Sequence, residues 1–383
     1  MDFALTPDQQ SYQQAARRFA SERLKPGYQQ RDQSGVLDRA LVREMGGLGL
    51  LGPGLPEAYG GLGLDALTVG LLVEQIAWAD INLAYLPLLT TLNGAILQRY
   101  ARPEVAREWL PAMCRGDKLC ALALTEPQTG SDAARIRLKA RREGERYLLT
   151  GEKTSISMTM AADVAVVFAR TGAEDGAHGV SAFLVPLDTP GISRTRLNDV
   201  GSVVVGRGSL FFDGAAVPAA YRLGEEGKGF VQVMQGFDFS RALIGLQCLA
   251  PAQASLEETW RYVQQRTAFN QPLVRFEGVS FPLAEADTLV QAARLLCYRA
   301  LWLKDRGEPH TAEAAMCKWW APLVAYEAIQ QCLLLHGHGG YSKDLPHQQR
   351  LRDVLGLQIG DGTAQIMKLI IARERAGRSA VPY

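Results

Sequence analysis

Ile136-Arg-Leu138-Lys-Ala140-Arg-Arg-Glu143-Gly144-Glu145-Arg-Tyr147-Leu-Leu149 is the stretch on which the fold turns. Ile136, Leu138 and Ala140 alternate with Arg or Lys, Glu143-Gly144-Glu145 supplies a turn, and a second apolar run follows, so a β-hairpin is predicted. Toward the C-terminus, short apolar runs recur at 165–168, 180–185, 203–205 and 210–212, separated by Gly, Asp and Pro. This predicts a middle antiparallel β domain, barrel or sandwich, over 118–228. On both sides the period changes. Upstream, Thr6 can cap a helix with Pro7 in its first turn and Gln9 closing a capping box, and Tyr12, Ala15, Ala16 and Phe19 form one apolar stripe. A second helix is predicted from Asp38 to Met45, a loop from Gly46 to Asp65, and another helix through Val69, Leu72, Val73 and Ile76. Residues 1–117 thus read as an N-terminal all-helical domain. From Gly229 helical periodicity returns, predicting a C-terminal helical bundle over 229–383. The class is α+β multi-domain; no β-α-β alternation occurs, which disfavours a doubly wound sheet.

The chain has 383 residues, enough for two or three domains. Its 41 Lys plus Arg against 40 Asp plus Glu leave a net charge of +1. That balance argues against a nucleic-acid binder and a polybasic membrane patch. Apolar runs break well before the ~20 residues of a membrane span, and Met1-Asp2-Phe3 lacks the plan of a secretory signal. The six cysteines include no C-x-x-C, so free thiols in a reducing cytoplasm are expected. His336 and His338 lack the context of a zinc site, and no metal is expected. Gly47-Leu-Gly49-Leu-Leu-Gly52 spells G-x-G-x-x-G, but a predicted helix precedes it and Pro53 and Pro56 follow, so it reads as a Gly-rich loop.

Five segments carry the chemistry. They are Pro56-Glu-Ala-Tyr-Gly-Gly-Leu-Gly-Leu-Asp65, Ala123-Leu124-Thr125-Glu-Pro-Gln-Thr-Gly130-Ser131-Asp132, Phe237-Asp238-Phe-Ser240-Arg241, Arg266-Thr-Ala-Phe269-Asn-Gln-Pro-Leu273 and Gly360-Asp361-Gly362-Thr363-Ala-Gln365-Ile366. Taken alone, the second is an inter-strand turn, Asp238 and Arg241 a surface i,i+3 pair, and Arg266 a solvated arginine. In this order, on a helix–strand–helix plan, they resemble the acyl-CoA dehydrogenase family across essentially the whole chain.

The resemblance implies FAD as cofactor and an acyl-CoA thioester as substrate. It also implies an electron-transfer flavoprotein as electron acceptor and a homotetramer in the cytoplasm. Leu124, Thr125, Gly130 and Ser131 would hold the flavin, with Ser131 also reaching the substrate, and Thr363, Gln365 and Gly337 would add cofactor contacts. Arg266 and Phe269 correspond to the pair that holds the pyrophosphate of a neighbouring subunit's FAD; the guanidinium fork suits phosphate. Asp238, Arg241, Gly360 and Gly362 would line the substrate site. Ser240 stands where some relatives carry their catalytic glutamate and cannot serve as a base, so the base falls to Asp361. Asp361 also admits a reading as helix N-cap; the matching neighbours favour the base.

Three departures stand out. Most relatives have Tyr-Glu-Gly-Thr where this chain has Gly360-Asp361-Gly362-Thr363. A shorter base and an absent tyrosine together suggest a branched or alicyclic acyl group of cyclohexanecarboxyl type. Ser155 and Ser157 replace the family's Trp and Thr: Ser157 keeps a hydroxyl for the flavin, whereas Ser155 loses the stacking surface. Glu277 and Leu334 replace glutamines. These losses leave open a same-fold oxidase or lyase, or a catalytically silent acyl-CoA-binding subunit.

Overall fold

The computed structural model describes residues 4–172 and 176–380; the Met1-Asp2-Phe3 start lies outside them. Helix α1 (Pro7–Phe19) begins with the capping box: Gln9 N donates to Thr6 Oγ1 at 3.2 Å, and Thr6 N donates to Gln9 Oε1 at 3.1 Å. The N-terminal part continues with α2 (Tyr28–Ser34), α3 (Arg39–Gly47), α4 (Ala66–Ala79), α5 (Tyr85–Tyr100) and α6 (Pro103–Cys114). Asp38 caps α3 and Asp65 caps α4 through their carboxylates. The Gly-rich segment follows a helix, as read from the sequence, and its glycines allow close backbone contact. A Cβ on Gly46 would lie 2.2 Å from the Arg115 carbonyl oxygen, and one on Gly61 would lie 2.0 Å from that of Leu55.

The middle part is a sheet of β1 (Cys120–Ala123), β2 (Lys139–Glu143), β3 (Arg146–Ile156), β4 (Val164–Arg170), β5 (Val180–Pro186), β6 (Ile192–Arg196), β7 (Gly208–Pro218) and β8 (Arg222–Leu223). Its order is β6-β7-β3-β2-β4-β5-β8, with β1 beside β4. The hairpin closes between β2 and β3, pairing Glu143 with Arg146. Three expectations need correction. The strand starts only at Lys139, because the N–H groups of Arg137 and Leu138 donate to the Glu126 carboxylate and not to a neighbouring strand. Val203–Val205 is a single 3₁₀ turn, flanked by Ser202 and Gly206 in left-handed conformations that interrupt an extended run. The sheet is also not purely antiparallel: β4 runs parallel to β1 and to the start of β2. Strands β4 and β5 are buried almost from end to end, which explains their continuous apolar composition.

Helix α7 (Gly229–Gln265) opens the C-terminal bundle; the β9 (Thr267–Ala268)–β10 (Gln271–Pro272) hairpin then leads to α8 (Glu277–Asp305) and α9 (Thr311–Leu335). Short α10 (His338–Tyr341), α11 (His347–Gly356) and α12 (Ala364–Ala376) follow. Where α7, α8 and α9 cross, a Cβ on Gly245 would lie 2.5 Å from Cys297 Sγ and 3.4 Å from the Ala321 Cβ. Asp353 of α11 joins all three parts. It accepts from Tyr28 Oη at 2.7 Å, Asn82 Nδ2 at 3.0 Å and Ser202 N at 2.6 Å. Burial pushes its carboxyl up to about 7. No helix among the described residues is long and apolar enough to cross a membrane.

Candidate active site

The turn between α11 and α12 builds the centre. Thr363 caps α12, accepting from Ile366 N at 3.4 Å, so Asp361 is not the cap. Asp361 takes the left-handed conformation (φ 56°), and Gly362 follows at φ 98°. A Cβ on Gly362 would lie 2.6 Å from the Met367 methyl, which can swing aside, so the positive φ is what calls for glycine here. Ile359 N and Gly360 N both donate to Gly356 O, whereas Asp361 N–H makes no backbone hydrogen bond among the described residues. The turn therefore presents a carboxylate and, from the same residue, an unused amide donor. Asp361 as a residue is exposed to solvent, while the surrounding protein still raises the pKa of its carboxyl.

Burial raises the Asp361 pKa above the usual carboxylate range, opposed by the cations of Lys318 and Arg241. Lys318, fully buried on α9, donates to the carbonyls of Leu357 at 2.7 Å and Gly362 at 3.0 Å. Arg241 Nη1 pairs with Asp238 Oδ1 at 2.8 Å, and Thr311 Oγ1 holds the other carboxylate oxygen at 2.6 Å. Arg241 Nε is buried with no partner. Tyr85, at the start of α5, feels the Asp361 charge and lies beside Ser202; its phenol is raised mainly by burial. Ser240 is buried and donates to Phe237 O at 3.1 Å.

A second group of predicted residues lies on the β domain. Leu124 is buried and Thr125 half-buried, and Thr154 N donates to Thr125 O at 2.9 Å, which ties this loop to β3. The register of β3 against β7 shifts between Lys153 and Ile156; within that irregularity Ser155 is exposed with φ 58°, and Ser157 is half-buried beyond it. Gly130 and Ser131 are exposed, and a Cβ on Gly130 would meet nothing within 4 Å. Beside them Thr129 Oγ1 is buried and unpartnered. An unused donor beside an open, glycine-lined loop fits a polar cofactor edge. Thr363 and Gln365 line a cavity of 260 Å³ with Trp319, Gln358 and Lys368.

Arg266, Phe269 and Gly337 are not brought to Asp361. At ~1.5 Å per residue, the 28 residues of α7 between Asp238 and Arg266 span about 40 Å. Gly337 lies at the same far end, since Tyr262 of α7 stacks on His336 with ring centroids 4.1 Å apart. There Phe269 is 90% exposed at φ 52° in the tip of the β9–β10 hairpin.

Sequence reasoning missed two buried lysines. Lys153 donates to Glu126 at 2.8 Å and to Leu124 O at 2.9 Å, tying the Leu124–Ser131 loop to β3; burial brings its ammonium down to about 8. Its signal was a lysine on the same strand face as Tyr147 and Leu149. Lys318 likewise interrupts the stripe of Ala314, Ala321 and Ala325 on α9. Among the described residues no group of three or more His, Cys, Asp or Glu is placed to hold a metal.

The structure thus offers a carboxylate whose own amide is unused and, on the β domain, a glycine-containing loop with a buried unpartnered hydroxyl. The chain belongs to the acyl-CoA dehydrogenase family: the N-terminal, middle and C-terminal domain models match residues 6–117, 121–215 and 227–375. A probable acyl-CoA dehydrogenase of Bacillus subtilis, YngJ, is 35% identical over 98% of this chain and 99% of its own length. The butyryl-CoA dehydrogenase of Megasphaera elsdenii superposes with a TM-score of 0.94 at 34% identity, covering 98% of this chain and all of the other. A glutaryl-CoA dehydrogenase in complex with glutaryl-CoA reaches 0.96 at 30% identity, covering 99% and 98%. The chain is an FAD-dependent oxidoreductase acting on the CH–CH group of an acyl-CoA.

Proposed function

We propose that the chain dehydrogenates a branched or alicyclic acyl-CoA to its enoyl thioester, with Asp361 as the base at the α-carbon. The observation that carries this is the α11–α12 turn, where Thr363 does the capping and leaves the Asp361 carboxyl and amide both free. The amide can donate to the thioester carbonyl, acidifying the α-proton that the carboxylate removes. FAD, when bound, accepts the β-hydride, for which no side chain has the chemistry. Burial raises the basicity of Asp361, and the cations of Lys318 and Arg241 oppose that rise by favouring the carboxylate. A Cβ on Gly360 would come no closer than 3.5 Å to its surroundings, so the position has room that a tyrosine would fill. That space favours a ring or an α-branch.

Leu124, Thr125, Gly130, Ser131, Ser155, Ser157, Thr363 and Gln365 would hold FAD from one copy of the chain. Arg266, Phe269 and Gly337 would hold it from a second copy, because their end of the bundle is about 40 Å from Asp238. A homotetramer built on the C-terminal helices fits Phe281, Leu289, Leu295 and Trp302, exposed apolar residues along α8. Asp238, Arg241, Gly360 and Gly362 would meet the thioester and its coenzyme A. An electron-transfer flavoprotein would receive the electrons in the cytoplasm, where six unpaired thiols are at ease. Anaerobic titration of the holoenzyme tests this reading. Cyclohexanecarboxyl-CoA or a branched acyl-CoA is expected to bleach the flavin absorption; faster bleaching by butyryl- or octanoyl-CoA overturns the substrate class, and no bleaching by any acyl-CoA overturns the activity.

Exposure of Ser155, where relatives carry an aromatic ring, supports a second reading as an acyl-CoA oxidase. Stoichiometric peroxide release during turnover in air would select it.

A further inference from the structure

Lys318 is a fully buried ammonium with two bonds, to the carbonyls of Leu357 and Gly362. Those two residues bracket the turn that carries Asp361. The turn itself places Asp361 in the left-handed region, at φ 56°, which is uncommon for residues other than glycine, though aspartate is among those that tolerate it best. Lys318 is also the first of the cations that oppose the burial of Asp361, ahead of Arg241. A hydrocarbon side chain would pack in the surrounding alanine stripe at lower cost than a charge, so an ammonium here needs a reason beyond packing. We infer that Lys318 is the positioning residue for Asp361: it clamps both ends of the turn and supplies the carboxylate's counter-charge from beneath. This rests on Asp361 being the base, and it adds why the base can be an aspartate on a short turn.

The charged and titratable groups facing Asp361 come from three helices: Lys318 of α9, Arg241 of α7 and Tyr85 of α5. Cys248 of α7 lies near both Lys318 and Tyr85, and Arg373 of α12 acts on Arg241. Arg241 already shares its charge with Asp238 at 2.8 Å. Lys318 has only carbonyls as direct partners, so its charge is the less compensated of the two.

The test is the pH profile of anaerobic flavin reduction in Lys318→Met holoenzyme. Without the counter-charge, the base limb is expected to move up by about one unit, costing ~10-fold in rate on the acid side and recovering at high pH. A uniform loss across the pH range, with the limb unmoved, overturns the inference. Asp361→Asn supplies a second measurement that needs neither turnover nor a folded lysine variant. Burial lowers the Lys318 pKa, so the unfolded chain binds its proton more tightly and stability rises with pH. Loss of the carboxylate deepens that effect, so D361N is expected to gain more in Tm than the native chain as the pH rises toward the ordinary lysine value of 10.5. Parallel Tm curves overturn the inference. Failure of every acyl-CoA to bleach the native flavin sinks the dehydrogenase reading alone, and the D361N comparison still decides the Lys318 contact.

Discussion

At the scale of single residues, Asp361 and Gly360 make the sharpest predictions. Asp361→Asn keeps the size and removes the proposed base, so flavin reduction is expected to fall by roughly 10²–10⁴-fold. Acyl-CoA binding, read by the shift of the flavin spectrum, should persist. Gly360→Tyr fills space that is open in the native turn, and the ratio of kcat/KM for cyclic over straight-chain acyl-CoA is expected to fall. An unchanged ratio would show that the acyl group lies elsewhere. Both residues were legible because their neighbours Gly362 and Thr363 match a strong motif. Lys318 was not: a buried lysine leaves only the trace of one charge in an apolar stripe, and its partners are backbone carbonyls with no identity in sequence. The carbonyls of Leu357 and Gly362 become its ligands only once α9 and the α11–α12 turn are packed together.

At the scale of elements, the Glu126–Lys153 pair fixes the loop from Leu124 to Ser131 against β3. Glu126 accepts from Arg137 N, Leu138 N, Gln128 Nε2 and Lys153 Nζ, so its carboxylate is saturated with donors. Lys153→Met is expected to leave that carboxylate buried without its cation, at a cost of roughly 3–5 kcal/mol. Chemical denaturation read by tryptophan fluorescence measures it, and FAD should be lost at lower denaturant than global unfolding. The same carboxylate explains why sequence alternation misplaced the start of β2. Ile136 and Leu138 alternate as strand residues do, but the amides of Arg137 and Leu138 are spoken for by a side chain eleven and twelve positions upstream. Capping boxes and caps were readable because they act within four residues. Bonds across tens of residues have no such local signature.

At the scale of the whole molecule, Asp353 couples the helical ends to the β domain. Its folded pKa, about 7, lies above the ordinary aspartate value of 3.8, so the folded protein holds the proton more tightly than the unfolded chain. The stabilisation this gives is complete below about pH 4 and is lost as the pH rises through 7. Tm is therefore expected to decline across that window, and Asp353→Asn, though less stable throughout, should flatten the decline. The helix–strand–helix plan was legible from periodicity alone, because each part has its own repeat. The meeting of the parts was not, since Tyr28, Asn82, Ser202 and Asp353 are distant in sequence and ordinary in type. Assembly adds a further expectation. If the proposed homotetramer forms, replacing Phe281 and Trp302 together by Asp is expected to reduce the mass seen by light scattering, with loss of FAD; an unchanged mass overturns that assembly. All six cysteines are buried as free thiols within the packed protein, five of them, Cys114, Cys120, Cys248, Cys297 and Cys332, with their thiols pushed up by burial. The chain thus carries six silent clocks: a thiol reagent added to the intact enzyme has nothing to modify until a segment opens, so the order of labelling records the sequence in which the molecule comes apart.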